Sequence, residues 1–292
     1  MLTSEPTSFV IDENEVYEPS NYNGYYAYKP ISLAQAVALS DNIYAVKTNL
    51  FLSTETVVDT TRKFGITSEL PTVPSLALGS ASLSLLEMVR AYGVIAYTIE
   101  KIVDNRGRVL YEKREFIGKQ VLDKQKAFIL THLMTGMFDR RLNGYMEVTG
   151  SSIIDKLSHE YAGKSGTTDS DSWMIGFSRN LVTGVWTGYD DNRPITRMSD
   201  KAIAKNVWAD VMESAHTSEE KVTFSVPEGI VEVVVDVETG MLATDDCKVA
   251  RKTYFEKGTE PTHYCTAHLP KNDEKRDEEK EPLLKRLLQL FR

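Results

Sequence analysis

Residues 172–190 read SWMIGFSRNLVTGVWTGYD. Apolar and small or polar residues alternate on both sides of Arg179-Asn180, which is the period of a strand whose side chains point to two faces in turn. Two such runs separated by two turn-forming residues predict an antiparallel hairpin. This hairpin constrains the fold most, because helical patterns lie both before and after it. A hairpin-connected sheet set among helices is α+β rather than α/β.

The helical patterns are these. ISLAQAVALS is apolar enough for a buried helix, and DNIYAVKTNLF resumes helical spacing through Ile43, Val46 and Leu50. TETVVDTTRKFG predicts a short amphipathic helix capped by Gly65. Ser84 and Glu87 form the pattern of a capping box, in which each side chain satisfies a backbone donor of the other residue. Another helix is expected over about 123–137. SDKAIAKNVWADVME predicts a helix with Ser199 as N-cap and Ala202, Ile203, Val207, Trp208 and Val211 on one face.

The remaining stretches are extended or irregular. Residues 1–30 are rich in Pro, Asn, Tyr and Ser and read as an extended, irregular entry segment. A hairpin is expected over 101–112 around Asn105-Arg106-Gly107. Residues 221–268 read as small and β-rich, with VEVVVDVETGML the clearest strand and turn. A charge run, KNDEKRDEEKE, leads to PLLKRLLQLFR, whose Leu283, Leu284, Leu287, Leu288 and Phe291 share a helical face. That face reads as a plain chain end or as a contact for a membrane surface or partner. These divisions give expected domains at 1–213, 214–268 and 269–292.

Composition excludes two broad classes. Among 292 residues, 41% are apolar and 26% charged, which is globular rather than disordered. A net charge of −8 without a Lys/Arg cluster excludes a nucleic-acid binder, since phosphate contacts need clustered cations. The first residues lack a basic, then apolar, leader pattern, and no apolar run approaches the roughly 20 residues of a membrane span. The expectation is a chain with neither export signal nor anchor of its own.

The candidate chemistry lies at GKSGTT, residues 163–168. Lys164 offers a positive charge. Ser165 and Thr167 offer hydroxyls to a carboxylate or amide. Gly166 removes a side chain, so that a second backbone can lie close along the strand. Oriented N–H groups there can also stabilise an oxyanion. Upstream, Ser40-Asp41-Asn42 falls between two helical segments. Ser40 can relay a proton, and the Asn42 amide can donate and accept. Either triplet also has a bland reading, as a plain strand and as a helix N-cap.

In this order the two triplets resemble the penicillin-recognising serine acyl-transferases, whose signature set is S-x-x-K, S-D-N and K-T-G. PSNYNGYYAYKPISLAQAVALSDNIYAVK, LALGSASLSLLEMVRAYGVIA, the GKSGTT hairpin and GTEPTHYC are similar to the transpeptidase portion of class A penicillin-binding proteins, over about residues 5–268. The resemblance implies an incomplete penicillin-binding/β-lactamase-like fold in which residues 1–213 are a partial transpeptidase domain. It implies that Ser40 passes a proton to the leaving amine and that Lys164 supports it. Asn42 would hold the peptide, Ser165 and Thr167 its carboxylate, and the Thr167 N–H an oxyanion, while Gly166 keeps the strand open. Ser165 stands where the family has Thr, which keeps the hydroxyl. The implied ligands are peptidoglycan stem peptides and β-lactams, with no cofactor. A β-lactamase or β-lactam sensor shares the triplets, but GVWTGYDDN and GTEPTHYC favour the transpeptidase branch.

The family's nucleophile motif is absent upstream of Ser40. Ser4, Ser8, Ser20 and Ser32 are followed at the third position by Thr7, Ile11, Asn23 and Gln35. The S-x-x-K spacing occurs once, at Ser218-Glu219-Glu220-Lys221, after K-S-G and in a polar stretch. The expectation is the C-terminal half of a penicillin-binding protein, inactive alone and poorly folded alone; the alternative is a nucleophile-less remnant that serves as a passive peptide- or partner-binding domain. The resemblance implies a place on the outer face of the cell membrane, held by an anchor upstream of this chain; without export signal or anchor, the expectation for the chain as given is a cytoplasmic or open location. On that face Cys247 and Cys265 could pair, whereas a reducing cytosol would leave them free. With His263 and His268 they match no zinc spacing, so no metal is expected. His132 and His159 read as helix or surface residues. Trp173, Phe177, Trp186 and Tyr189 read as sheet packing.

Overall fold

A computed structural model of the protein describes residues 1–11, 16–96, 101–103, 109–112, 120–216 and 220–268. The chain divides into a unit spanning Met1–Ile230 and a second from Val231 onward.

The entry segment is more regular than its composition indicates. Strands β1 (Leu2–Ser4) and β4 (Lys29–Ile31) pair antiparallel, with Leu2 opposite Ile31. Between them, β2 (Phe9–Val10) pairs with β3 (Val16–Tyr17). Helix α1 (Leu33–Leu39) starts at Ser32, whose Oγ accepts from Gln35 N at 3.2 Å. Helix α2 (Asn42–Leu52) follows, then α3 (Thr54–Lys63). Gly65, at φ 92°, follows the end of α3, as expected of a residue that can adopt the left-handed region freely.

Helix α4 (Leu85–Ala96) carries the predicted capping box, but only half of it forms. Glu87 N donates to Ser84 Oγ at 3.2 Å. The Glu87 carboxylate turns instead to the loop after α3, accepting from the N–H and O–H groups of both Thr67 and Ser68. These four bonds hold the Glu87 carboxyl down at about 2. Strands β5 (Lys101–Val103) and β6 (Val109–Glu112) form the expected antiparallel hairpin, whose turn lies outside the described residues. Helix α5 (Lys124–Thr135) runs into a 3₁₀ turn over Gly136–Phe138.

The three-stranded sheet is β7 (Ala162–Thr167), β8 (Asp171–Phe177) and β9 (Val182–Gly188), antiparallel in the order β7-β8-β9. The turn at Arg179-Asn180 forms as the alternation predicts. Ser178 Oγ accepts from Asn180 N and Leu181 N, each at 3.1 Å, which locks the turn.

Helix α6 (Met198–Lys201) is one turn, and α7 (Ile203–Ala215) packs on the sheet. Two expectations are corrected here. Ser199 lies inside α6 rather than capping it, with its hydroxyl on Asp200 Oδ1 at 3.1 Å. The buried stripe of α7 is Ala204, Trp208, Ala209 and Met212, while Ile203, Val207 and Val211 are exposed. The Trp208 indole lies against Gly176, donating to Gly176 O at 3.4 Å and Thr183 O at 3.2 Å. Around it Met137, Ile153, Tyr161 and Met174 complete the main core. A buried indole with its N–H satisfied is a large apolar contribution without a stranded donor.

The second unit is built on β10 (Ile230–Asp236) and β11 (Ala250–Glu256), paired antiparallel. The strand-and-turn expectation holds: Gly240, at φ 70°, turns the chain after β10. The charge run and terminal segment, 271–292, lie outside the described residues. No helix among the described residues is long and apolar enough to cross a membrane.

Candidate active site

Ser40 ends α1 in the left-handed conformation, at φ 56° and ψ 50°. A serine there costs of order 1–3 kcal/mol. Asp41 N closes the helix end on Ala36 O at 2.9 Å, and Asp41 then caps α2, its Oδ1 accepting from Tyr44 N at 2.8 Å. The strained serine therefore breaks one helical run into two and frees its side chain from both.

That side chain meets β7. Lys164 Nζ donates to Ser40 Oγ at 2.7 Å and to Ser165 O at 2.9 Å. Burial, reinforced by the nearby Lys205 charge, pulls the Lys164 ammonium down to about 8. Because Lys164 is the donor, Ser40 keeps its own O–H to donate to a third group. A serine flanked by a weakened ammonium can thus pass a proton on and recover it.

Asp41 fixes this corner. It is 2% exposed, and its Oδ2 accepts from Asn21 Nδ2 at 2.9 Å, Tyr145 O–H at 2.7 Å and the Ser4 hydroxyl. Burial, then the Asp41 carboxylate, pushes the Tyr145 phenol upward. Asn21 Oδ1 in turn accepts from Asn42 N at 2.8 Å and Ile43 N at 3.3 Å. Asn42 sits at the start of α2 with its Nδ2 donating to Ser20 O at 2.8 Å. The structure thus brings Ser40 to Lys164 and ties Asn42 to the entry segment.

Ser165, Gly166 and Thr167 continue β7 opposite Met174, Trp173 and Ser172. Ser165 is half-buried, and Gly166 and Thr167 are exposed. Among the described strands β7 pairs only with β8, so no strand partner covers its other edge. Lys164 and Ser165 project to alternate sides, and a ligand laid along that edge meets both. A Cβ on Gly166 would come no closer than 3.5 Å to Trp173 Cβ, an ordinary contact, so that neighbour does not demand glycine there.

Four participants carried no sequence signal. Ser4, Asn21 and Tyr145 join Asp41 from distant stretches. Lys205 on α7 donates to Thr149 O at 2.8 Å, and Thr149 N and Oγ1 both donate to Ala38 O, at 3.0 and 3.2 Å. Of the S-x-x-K run near 220, Ser218 and Glu219 lie outside the described residues.

The sequence profile of the penicillin-binding protein transpeptidase domain matches residues 5–213. The chain belongs to this family. The C-terminal domain of penicillin-binding protein 1A matches residues 226–270. Penicillin-binding protein 2D of Bacillus subtilis is 50% identical over 279 residues, 92% of this chain and 40% of that protein. Penicillin-binding protein 1A of Aquifex aeolicus is 31% identical over 265 residues, 87% of this chain and 35% of that protein. The chain therefore spans well under half the length of these curated relatives. Among solved structures, penicillin-binding protein 1A from Haemophilus influenzae superposes with a TM-score of 0.73 at 27% identity, over 90% of this chain and 45% of that one. The fold is thus the α+β transpeptidase fold of penicillin-binding proteins, present in part.

Proposed function

We propose that this chain forms the ligand-binding wall of a peptidoglycan D,D-transpeptidase and does not acylate by itself. The observation that carries the reading is the 2.7 Å contact between Lys164 Nζ and Ser40 Oγ, two residues on separate elements that meet as a proton relay requires. In acyl transfer Ser40 would hand a proton to the leaving amine of a D-Ala-D-Ala stem peptide, and Lys164 would stabilise the serine oxygen as the proton departs. Asn42 would hold the peptide amide. Ser165 and Thr167 would bind the terminal carboxylate, with Lys164 adding charge. The Thr167 N–H would face the tetrahedral oxyanion, and Gly166 would admit the peptide backbone. β-Lactams, which present a carboxylate beside a strained amide, would enter the same cleft. The setting is the outer face of the cell membrane.

The chemistry stops at binding because the S-x-x-K nucleophile is not in this chain upstream of Ser40. A triad-like unit deprived of its nucleophile loses most of its rate, even with oxyanion donors intact. Intact-mass measurement after incubation with benzylpenicillin tests this. The expected result is an unchanged mass, together with amide shifts at Lys164–Thr167 in a titration with the same ligand. A mass gain of one penicilloyl group would place a nucleophile within the chain. Absence of any shift along β7 would remove the binding role.

A further inference from the structure

The second unit gathers four metal-ligating side chains that sequence spacing scatters. Asp236, Cys247, Cys265 and His268 each point one donor atom into a common space, and these atoms all lie within 4.8 Å of one another. His263, which the sequence places beside this group, instead points its Nδ1 at the Thr262 hydroxyl, 3.2 Å away.

The geometry points to a structural zinc site made by Asp236, Cys247, Cys265 and His268. It is independent of the transpeptidase reading and lies outside that chemistry. Zinc bonds of about 2.3 Å to sulfur and 2.0–2.2 Å to nitrogen or oxygen give a tetrahedron with edges of roughly 3.3–3.8 Å. Two edges of this size share His268 Nδ1: 3.4 Å to Cys265 Sγ and 3.6 Å to Asp236 Oδ1; Cys265 Sγ also lies 3.8 Å from the second carboxylate oxygen, Asp236 Oδ2. A donor set of two sulfurs, one imidazole and one carboxylate favours zinc over magnesium or calcium, which take oxygen shells.

The surrounding groups orient the ligands. Glu238 Oε2 lies 3.2 Å from His268 Nε2, which fixes Nδ1 as the nitrogen that faces the cluster. Thr239 N and Oγ1 donate to Asp236 Oδ2 at 2.8 and 2.7 Å, holding the carboxylate in place. Thr244 N lies 3.3 Å from Cys247 Sγ, suited to a thiolate. The backbone bonds Cys265 N to Leu242 O at 2.8 Å and Leu242 N to His263 O at 3.0 Å draw the two cysteine segments together. Asp236 and Cys265 are each 1% exposed, so both donors are removed from water.

Size supplies the physical need. Among the described residues from Val231 onward, the buried apolar side chains are Val235, Val237 and Cys265. Units near or below roughly 40 residues with so small a core call for a disulfide, a metal or a partner. Zinc binding releases both thiol protons to solvent and couples the fold of this unit to the metal.

The test uses the full chain, reduced and metal-free, titrated with Co²⁺ and then Zn²⁺. One Co²⁺ per chain should give a thiolate charge-transfer band and intense tetrahedral d–d bands, both abolished by Zn²⁺. Cys247→Ser and His268→Ala should lose these bands, and His263→Ala should keep them. Glu238→Gln, which leaves every ligand in place, should weaken Zn²⁺ by about ten- to a hundredfold. A reduced chain that shows no cobalt spectrum overturns the site. So does protein isolated under thiol-trapping conditions with Cys247 and Cys265 already joined.

Discussion

Lys164 Nζ stands 2.7 Å from Ser40 Oγ across 124 positions of sequence, and burial holds this ammonium at about 8 rather than its ordinary 10.5. The sign of the consequence follows from linkage. Between about 8 and 10.5 the unfolded chain binds a proton at this lysine that the folded chain has lost, so stability rises with pH across that window. Below it, the folded state carries the cost of a desolvated charge. Lys164→Met removes that cost and the proton. The melting-temperature advantage of Lys164→Met over the parent should therefore shrink as pH rises from 7.5 to 10.5. A gap constant across the window would mean that Lys164 is not desolvated.

The Asp41 network makes a second, larger demand on stability. Three side-chain donors and one backbone N–H converge on a carboxylate that is 2% exposed. Asp41→Ala strands them, and hydrogen bonds to a charged group contribute about 1.5–3 kcal/mol each. A loss of at least about 3 kcal/mol is expected in urea unfolding, with Tyr145→Phe losing about 1.5–3 kcal/mol. A loss under 1 kcal/mol for Asp41→Ala would show that water replaces these partners.

These two sites mark what the sequence makes legible. Ser40, Asn42 and the Lys164–Thr167 run announce themselves because each triplet is local, and the period-two alternation sets the hairpin that presents the second. Ser4, Asn21 and Tyr145 give no signal, since a network among residues 4, 21, 41 and 145 has no period and exists only after folding. The buried face of α7 departs from the one its apolar spacing predicts for a different reason. Ile203, Val207 and Val211 form one i,i+4 stripe and Ala204, Trp208 and Met212 the next. Both are apolar. Small Ala204 and Ala209 let the helix lie close to the sheet, and Gly176 leaves room for Trp208. Packing volume, not hydrophobicity, chose the stripe.

Glu87 yields a prediction in acid. Its carboxyl lies at about 2 in the folded chain, below the ordinary 4.5, because Thr67 and Ser68 donate to the charged form. A depressed carboxyl contributes stability above its unfolded value and loses it as pH falls. Glu87→Gln should therefore melt lower than the parent at pH 7. The difference should close between about 4.5 and 2. Equal melting at neutral pH would mean that the loop after α3 finds other partners.

Two glycines on neighbouring strands separate fold from function. A Cβ at Gly176 would lie 2.5 Å from Trp208 Cζ2 and 2.9 Å from Ala162 O, positions that a ring locked by its own hydrogen bonds and a strand carbonyl cannot vacate cheaply. Gly176→Ala should destabilise by about 1–3 kcal/mol through overpacking. At Gly166 the Cβ meets Trp173 only at ordinary contact, 3.5 Å away, and the strand edge beside it is open among the described strands. Gly166→Ala should leave stability within about 0.5 kcal/mol of the parent. If a peptide backbone or β-lactam lies along β7, the added methyl intrudes on it, and noncovalent affinity measured by amide-shift titration should fall about tenfold, or 1.4 kcal/mol. Unchanged affinity in a stably folded Gly166→Ala chain would move the ligand off this strand.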